Sequence, residues 1–228
     1  MSDPRASLAR MGRFARTVVP GIAHHVCQRG NRRLQTYLVP DDFQLYASLV
    51  AFHCRKQDVE VLAYCLMPNH SHLVVVPPTP EALRLAIGAA HQAYTAQINE
   101  REGWTGHLWQ GRFFSCPMDP AHTLRAVRYV ELNPVRAGLV VRAEDWAWSS
   151  ARAHLAGRDD GLVTVAPMLE LVPDWASFLG SAANDDLETL RRHTSTGRPL
   201  GSDAFVDELE RQLQRSLRPA VGGRPRRL

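Results

Sequence analysis

The stretch VEVLAYCLMPNHSHLVVVPP, residues 59–78, decides the fold. Two apolar runs rich in Val and Leu are interrupted by Pro68 and Asn69 and stopped by Pro77 and Pro78. Apolar, β-branched runs bounded by turn formers predict strands, here two strands or one bent strand pair. His70 and His72 stand two apart inside this stretch. In a strand, residues i and i+2 leave the same face, so both imidazoles can reach one point in space. Imidazole suits several divalent ions, and two ligands leave open positions for water or a phosphate oxygen. The other use of such a pair is two hydrogen-bonded histidines at a strand edge.

Working outward, TVVPGIAHHVCQRG (17–30) predicts a first strand, and Gly30 with Asn31 opens a loop carrying Arg32 and Arg33 just after Arg29. DDFQLYASLVAFHCRKQ (41–57) spaces Phe43, Tyr46, Leu49, Val50 and Phe52 as on one side of a helix, capped by Asp41 or Asp42. A second helix is predicted in EALRLAIGAAHQAYTAQINERE (81–102), followed by a short aromatic strand in HLWQGRFFSCPM (107–118). In DPAHTLRAVRYVELNP (119–134), Asp119 is a good N-cap and Pro120 a good first helical residue, while Pro134 ends or kinks the helix near Asn133. Strand, helix, strand, strand, helix, strand is the order of an α/β (α+β) split βαβ sheet of the ferredoxin or RRM type. The expected architecture is an antiparallel sheet with helices packed on one face and a small helical C-terminal extension.

Composition adds limits. With 228 residues, 45% of them hydrophobic and 22% charged, the chain matches a soluble globular domain plus an extension. No apolar run approaches the roughly 18 residues a membrane helix needs, and MSDPRASLARMGRFAR (1–16) lacks the apolar centre of a signal peptide, so a cytoplasmic protein is expected. Cys27, Cys54, Cys65 and Cys116 show no CxxC spacing, which argues against a zinc knuckle or a disulfide framework and for reduced, mostly buried thiols. The formal charge of +4 is carried largely by arginine, whose forked guanidinium suits phosphate. Beyond GRDDG (157–161) the pattern changes to short helical stretches and then a polar tail, RPAVGGRPRRL (218–228). The division expected is a flexible start at 1–12, a main domain at 13–155, a helical extension at 156–217 and a basic disordered tail at 218–228.

Tyr129 is the second candidate for chemistry. On the helix from Pro120, Leu124, Val127 and Val130 form the apolar stripe, and Tyr129 lies roughly 200° around from Val127, turned away from that core. Asn133, one turn on, shares its side and offers an amide oxygen to a hard cation. A lone helical tyrosine is ordinarily an interface residue with its hydroxyl in water. Near a metal it becomes a competent nucleophile toward a phosphodiester.

These residues carry a resemblance. MPNHSHLVV (67–75), LWQGRFFS (108–115) and RYVELNPVRAGLV (128–140), in this order and at these separations, resemble the REP-associated tyrosine transposases of the single-tyrosine HUH superfamily. The resemblance covers residues 13 to 155. It implies Tyr129 as nucleophile, His70, His72 and Asn133 as ligands of Mg²⁺ or Mn²⁺, and a 5′-phosphotyrosine intermediate. It further implies a single-stranded or hairpin DNA partner, a nucleoid-associated location, and endonuclease and strand-transferase activity at palindromic repeats, by a monomer or homodimer. The DNA-holding residues expected are Arg29, Arg32, Arg33, Arg112 and Arg136, with Trp109 and Phe113 either stacking on bases or packing in the core. GGRPRR (222–227) is similar to an AT-hook, which adds Arg224 and Arg226. Two other functions fit parts of the pattern: a protein that binds such repeats without cutting, and a phosphohydrolase that uses water as its nucleophile.

Overall fold

The structure, a computed structural model, describes residues 16–181 and 187–219. Four strands form one sheet: β1 (His24–Arg29), β2 (Glu60–Met67), β3 (His70–Val76) and β4 (Phe114–Pro117), in the order β2-β3-β1-β4 with every pair antiparallel. Residues 59–78 are therefore two strands joined by a turn at Pro68–Asn69, and β3 returns between β2 and β1 as the split βαβ pattern requires. Crossovers are made by α1 (Pro40–Lys56) and by α2 (Ala89–Glu102), which a short π-helical turn at Arg84–Gly88 precedes.

α1 starts where the sequence says it should. Pro40 occupies its first position, and the Asp42 carboxylate accepts the backbone N–H groups of Leu38 and Val39 at 2.7 and 3.1 Å. The Arg101 guanidinium, from the end of α2, donates to the same carboxylate at 3.0 Å and so ties the two crossover helices together.

Alternation along the strands sends residues to two cores. Val26, Leu66, Leu73 and Val75 pack with Tyr46, Val50, Ile87, Tyr94 and Ile98 of the crossover helices. Ala63, Cys65, Met67 and Val74 pack on the opposite side with Val127 and Val130 of α3 (Pro120–Glu131) and with Leu190 of α8 (Leu187–Thr196). Each large side chain taken fully out of water in these layers contributes about 1.5–3 kcal/mol before entropy is counted. The expectation of helices on one face holds for α1 and α2 and needs correction for the other face. Since β2 and β3 are apolar on both sides, the second face must be covered too, and α3 and α8 cover it.

Past α3 come short helices: α4 (Asn133–Arg136), α5 (Ala151–Ala156), α6 (Ala166–Leu171) and α7 (Trp175–Gly180), then α8 (Leu187–Thr196) and α9 (Asp203–Leu213). Val163 and Val165 enter the first core, Met168 and Trp175 the second. Both sheet edges are occupied by the chain itself. Along β2, Leu66 N–H donates to Trp148 C=O at 2.8 Å and Ser150 N–H to Tyr64 C=O at 3.0 Å. Beside β4, Leu200 N–H donates to Pro117 C=O at 2.9 Å, and Asp119 N–H to Leu200 C=O at 3.1 Å.

Arg218 pairs with Asp207 and Glu210 of α9, so the chain is still held there. Arg224 and Arg226, like the start at 1–12, lie outside the described residues. Cys54, Cys65 and Cys116 are buried free thiols and Cys27 is half-buried. Among the described residues no helix is long and apolar enough to cross a membrane.

Candidate active site

The site forms where β3, β1, α3 and α8 meet. His70 and His72 leave β3 on the side that faces α3, with ring centroids 4.9 Å apart and planes 84° apart. Strand pairing sets Arg29 of β1 opposite His70, and Cys27 opposite His72. His25, one pleat further along β1 on the same face, has its Nε2 at 2.9 Å from His72 Nδ1. Its own Nδ1 lies 2.7 Å from Thr194 Oγ1 of α8.

Neighbours fix the proton on His70. Asn69 Nδ2 donates to Arg33 C=O at 3.0 Å, which orients its amide so that Oδ1 accepts from His70 Nδ1 at 2.6 Å. The Nε2 lone pair of His70 is then free to ligate. Burial pushes His70 down to about 4, and the nearby Arg29 adds to the effect. Burial, reinforced by His25, His70, Arg29 and Arg136, holds His72 well below the ordinary histidine range. Both rings are therefore neutral imidazoles at neutral pH, the form a metal ion needs.

Tyr129 is 4% exposed and does not turn away from the core as its helical position alone suggests. α8 packs on β4 and β1, and its Leu190 and Arg191 reach the side of α3 that carries Tyr129. The ring meets His72 edge-on at 5.6 Å and His25 at 6.0 Å, and its hydroxyl receives Arg191 Nε at 3.4 Å. The Arg136 guanidinium lies 4.6 Å over the ring and donates to the Tyr129 carbonyl, near the point where Pro134 interrupts the helix. Tyr129, His72, His25, Cys27, Arg29, Gln110 and Arg191 share a cavity of about 280 Å³.

Asn133 begins α4 rather than extending α3, which stops at Glu131. It is 8% exposed, and its side-chain nitrogen has no hydrogen-bond partner. A half-turn of the amide exchanges its nitrogen with its oxygen, so a buried, unsatisfied position is available to an oxygen ligand. The two neutral imidazoles share one face of β3 and can offer nitrogen ligands to a divalent cation. Among the described residues no group of three or more His, Cys, Asp or Glu is placed to hold a metal ion.

Other candidates lie apart. Trp109 and Phe113, each 6% exposed, pack in the first core. Trp109 is ringed by Tyr46, His91 and Tyr94, and the Arg16 guanidinium sits 3.6 Å over Phe113, so neither ring has a face free for a base. With Arg112, Arg16 and Arg84 they line a separate cavity of about 630 Å³. Arg32 and Arg33 are exposed at the tip of the β1 loop, both in left-handed backbone conformation (φ 52° and 62°).

Sequence reasoning missed His25, Asn69, Arg191 and Thr194. Asn69 adjoins the histidine pair and offered a local signal. His25 and the α8 residues are brought in only by strand register and tertiary docking.

The comparisons agree with this geometry. A sequence model described as transposase, IS200-like, matches residues 18–133. A Haemophilus influenzae protein named as a REP-associated tyrosine transposase is 26% identical over 129 residues, which are 52% of this chain and 73% of that protein. The solved structure of a REP-associated tyrosine transposase bound to a REP hairpin superposes with a TM-score of 0.52 at 22% identity, over 68% of this chain and 89% of that one, and so shares the fold. Because the matched segment runs from ahead of β1 to Asn133, and so holds all four strands, both histidines and Tyr129, the chain belongs to the IS200-like transposase family.

Proposed function

We propose that the chain is a single-stranded DNA endonuclease and strand transferase acting beside hairpin-forming palindromic repeats, with Tyr129 as nucleophile. The observation that carries this reading is the placement of the Tyr129 ring against His72, with its hydroxyl at Arg191 in a shared cavity. The Tyr129 oxygen forms a bond to phosphorus as the bond from phosphorus to O3′ breaks. The phenolic proton passes to solvent, and the leaving 3′ oxygen gains one. The product is a 5′-phosphotyrosine, whose bond energy lets a 3′-OH reverse the step on another strand.

Arg191 and Arg29, both lining the cavity, neutralise the phosphate that enters it. His70, His72 and Asn133 would hold Mg²⁺ or Mn²⁺, which, when bound, withdraws charge from the phosphate oxygens and aligns the phosphate. Arg32, Arg33, Arg112 and Arg136 supply sequence-independent contacts to the DNA backbone. The solved relative bound to a REP hairpin supports this class of partner.

The test is a denaturing gel of full-length protein with Mg²⁺ or Mn²⁺ and end-labelled hairpin oligonucleotides from repeats flanking its gene. A protein-linked 3′-side fragment, joined through its 5′ phosphate, and a released 5′ fragment ending in 3′-OH are expected, with no protein-linked band for Tyr129→Phe or His70→Ala. Tight hairpin binding without an adduct under either metal overturns the reading in favour of a binding protein. Cleavage that survives Tyr129→Phe points to water as nucleophile.

A further inference from the structure

We propose that Thr194 of α8 and His25 of β1 form a relay that fixes the tautomer of His72, so that α8 positions a metal ligand of the reaction centre. The proposal rests on the reading above, in which His72 is that ligand. Residues 187–196 lie beyond the segment that the family model matches, and nothing in that match assigns them a role.

Counting protons sets the direction of the relay. The Thr194 hydroxyl donates to Leu190 C=O at 2.8 Å, one turn back on α8. A hydroxyl has one proton, so toward His25 it can only accept, and His25 Nδ1 at 2.7 Å is the donor. With its proton on Nδ1, the neutral His25 ring leaves Nε2 bare, and that atom accepts from His72 Nδ1 at 2.9 Å. His72 is thereby committed to a proton on Nδ1 and a lone pair on Nε2. All three side chains are buried, at 6%, 1% and 4% exposure for Thr194, His25 and His72, so bulk water competes little for these positions.

The opposite arrangement blocks the site. Without the Thr194 acceptor, the His25 proton is better placed on Nε2, where it donates to His72 Nδ1. That places the His72 proton on Nε2, the nitrogen that must ligate. Thr194 and His25 are therefore positioning residues; neither touches the reacting atoms. Thr194→Val keeps the volume and removes the acceptor, while Thr194→Ser restores it.

The experiment uses the full chain. Long-range ¹⁵N–¹H spectra of the metal-free protein read the His72 tautomer, and titration with Mn²⁺ alone, followed by the loss of the free-ion electron paramagnetic signal, reads affinity. Wild type is expected to show the Nδ1–H form of His72. Thr194→Val is expected to move His72 toward the Nε2–H form and to weaken Mn²⁺ binding by about 10- to 100-fold, the usual scale for losing an outer-shell partner. Thr194→Ser should recover both. A folded Thr194→Val with an unchanged His72 tautomer and unchanged Mn²⁺ affinity overturns the relay. If wild type binds no Mn²⁺, the function reading falls, and the tautomer spectra still decide the relay separately.

Discussion

At the scale of single residues, the position of Tyr129 depends on a carboxylate two residues further along α3. Glu131 is fully buried and accepts from Ser150 Oγ at 2.6 Å, His154 Nδ1 at 2.6 Å and Trp175 Nε1 at 2.8 Å. Those donors come from the segment before α5, from α5 and from α7, so one side chain holds three parts of the molecule to the helix that carries Tyr129. Glu131→Ala strands three buried donors and should cost at least about 3 kcal/mol in a urea melt. An unchanged midpoint would show that the cluster holds nothing. By contrast, the exposed Arg142–Glu144 pair adds little, because water screens both partners. Gly30 is a second such position. A Cβ there would come within 2.3 Å of Leu34 C=O and 2.6 Å of the Thr36 methyl group. Gly30→Ala should displace the Arg32–Arg33 loop and weaken DNA binding, measured at two salt concentrations, and, because Arg33 C=O orients Asn69 against His70, should weaken Mn²⁺ binding as well.

At the scale of elements, the docking of α8 is the feature most open to test. Gly197 ends this helix at φ +72°, and an added Cβ would lie 3.2 Å from the Ser115 carbonyl of β4. Gly197→Ala should cost about 1–2 kcal/mol for the left-handed backbone alone. In a chain of this size that lowers Tm by roughly 2–4 °C per kcal/mol. Hydrogen exchange should quicken in α8 before it quickens in β1 and β3; uniform quickening would mean that α8 does not open separately. The elements up to α3 were legible because their signals are local: Pro68 marks the β2–β3 turn, Pro77 follows β3, and Asp119 caps α3 by accepting His122 N–H at 2.9 Å. The role of α8 was not, since Thr194 meets His25 across 169 positions of sequence and no periodicity announces such a contact. The burial of Trp109 was equally hidden, because an aromatic residue beside arginines has the same sequence pattern in a core as on a DNA surface.

At the scale of the whole molecule, buried histidines set the pH range of stability. Burial lowers His24 to about 4, partly opposed by the Val19 backbone, and lowers His91 to about 3, with the nearby Arg16 adding to it. The folded state thus binds these protons less readily than the unfolded chain, whose histidines titrate near 6.5. Their contribution is complete above pH 6.5 and is lost as pH falls from there toward 4 and 3, by about 1.4 kcal/mol per pH unit for each group. Urea midpoints from pH 7 to 5 should therefore fall, and His91→Gln should fall less steeply than wild type. Parallel slopes would remove His91 from the account.

The covered sheet edges bear on association. An open edge presents a row of unpaired N–H and C=O groups that recruits a strand from another copy. Here residues 148–150 occupy the flank of β2, and Leu200 occupies the flank beside β4. Along β2, a strand from a second copy would first have to displace that segment. Extension of the sheet at that edge is therefore opposed, and the exposure of β2 that seeds aggregation is suppressed for as long as residues 148–150 stay in place.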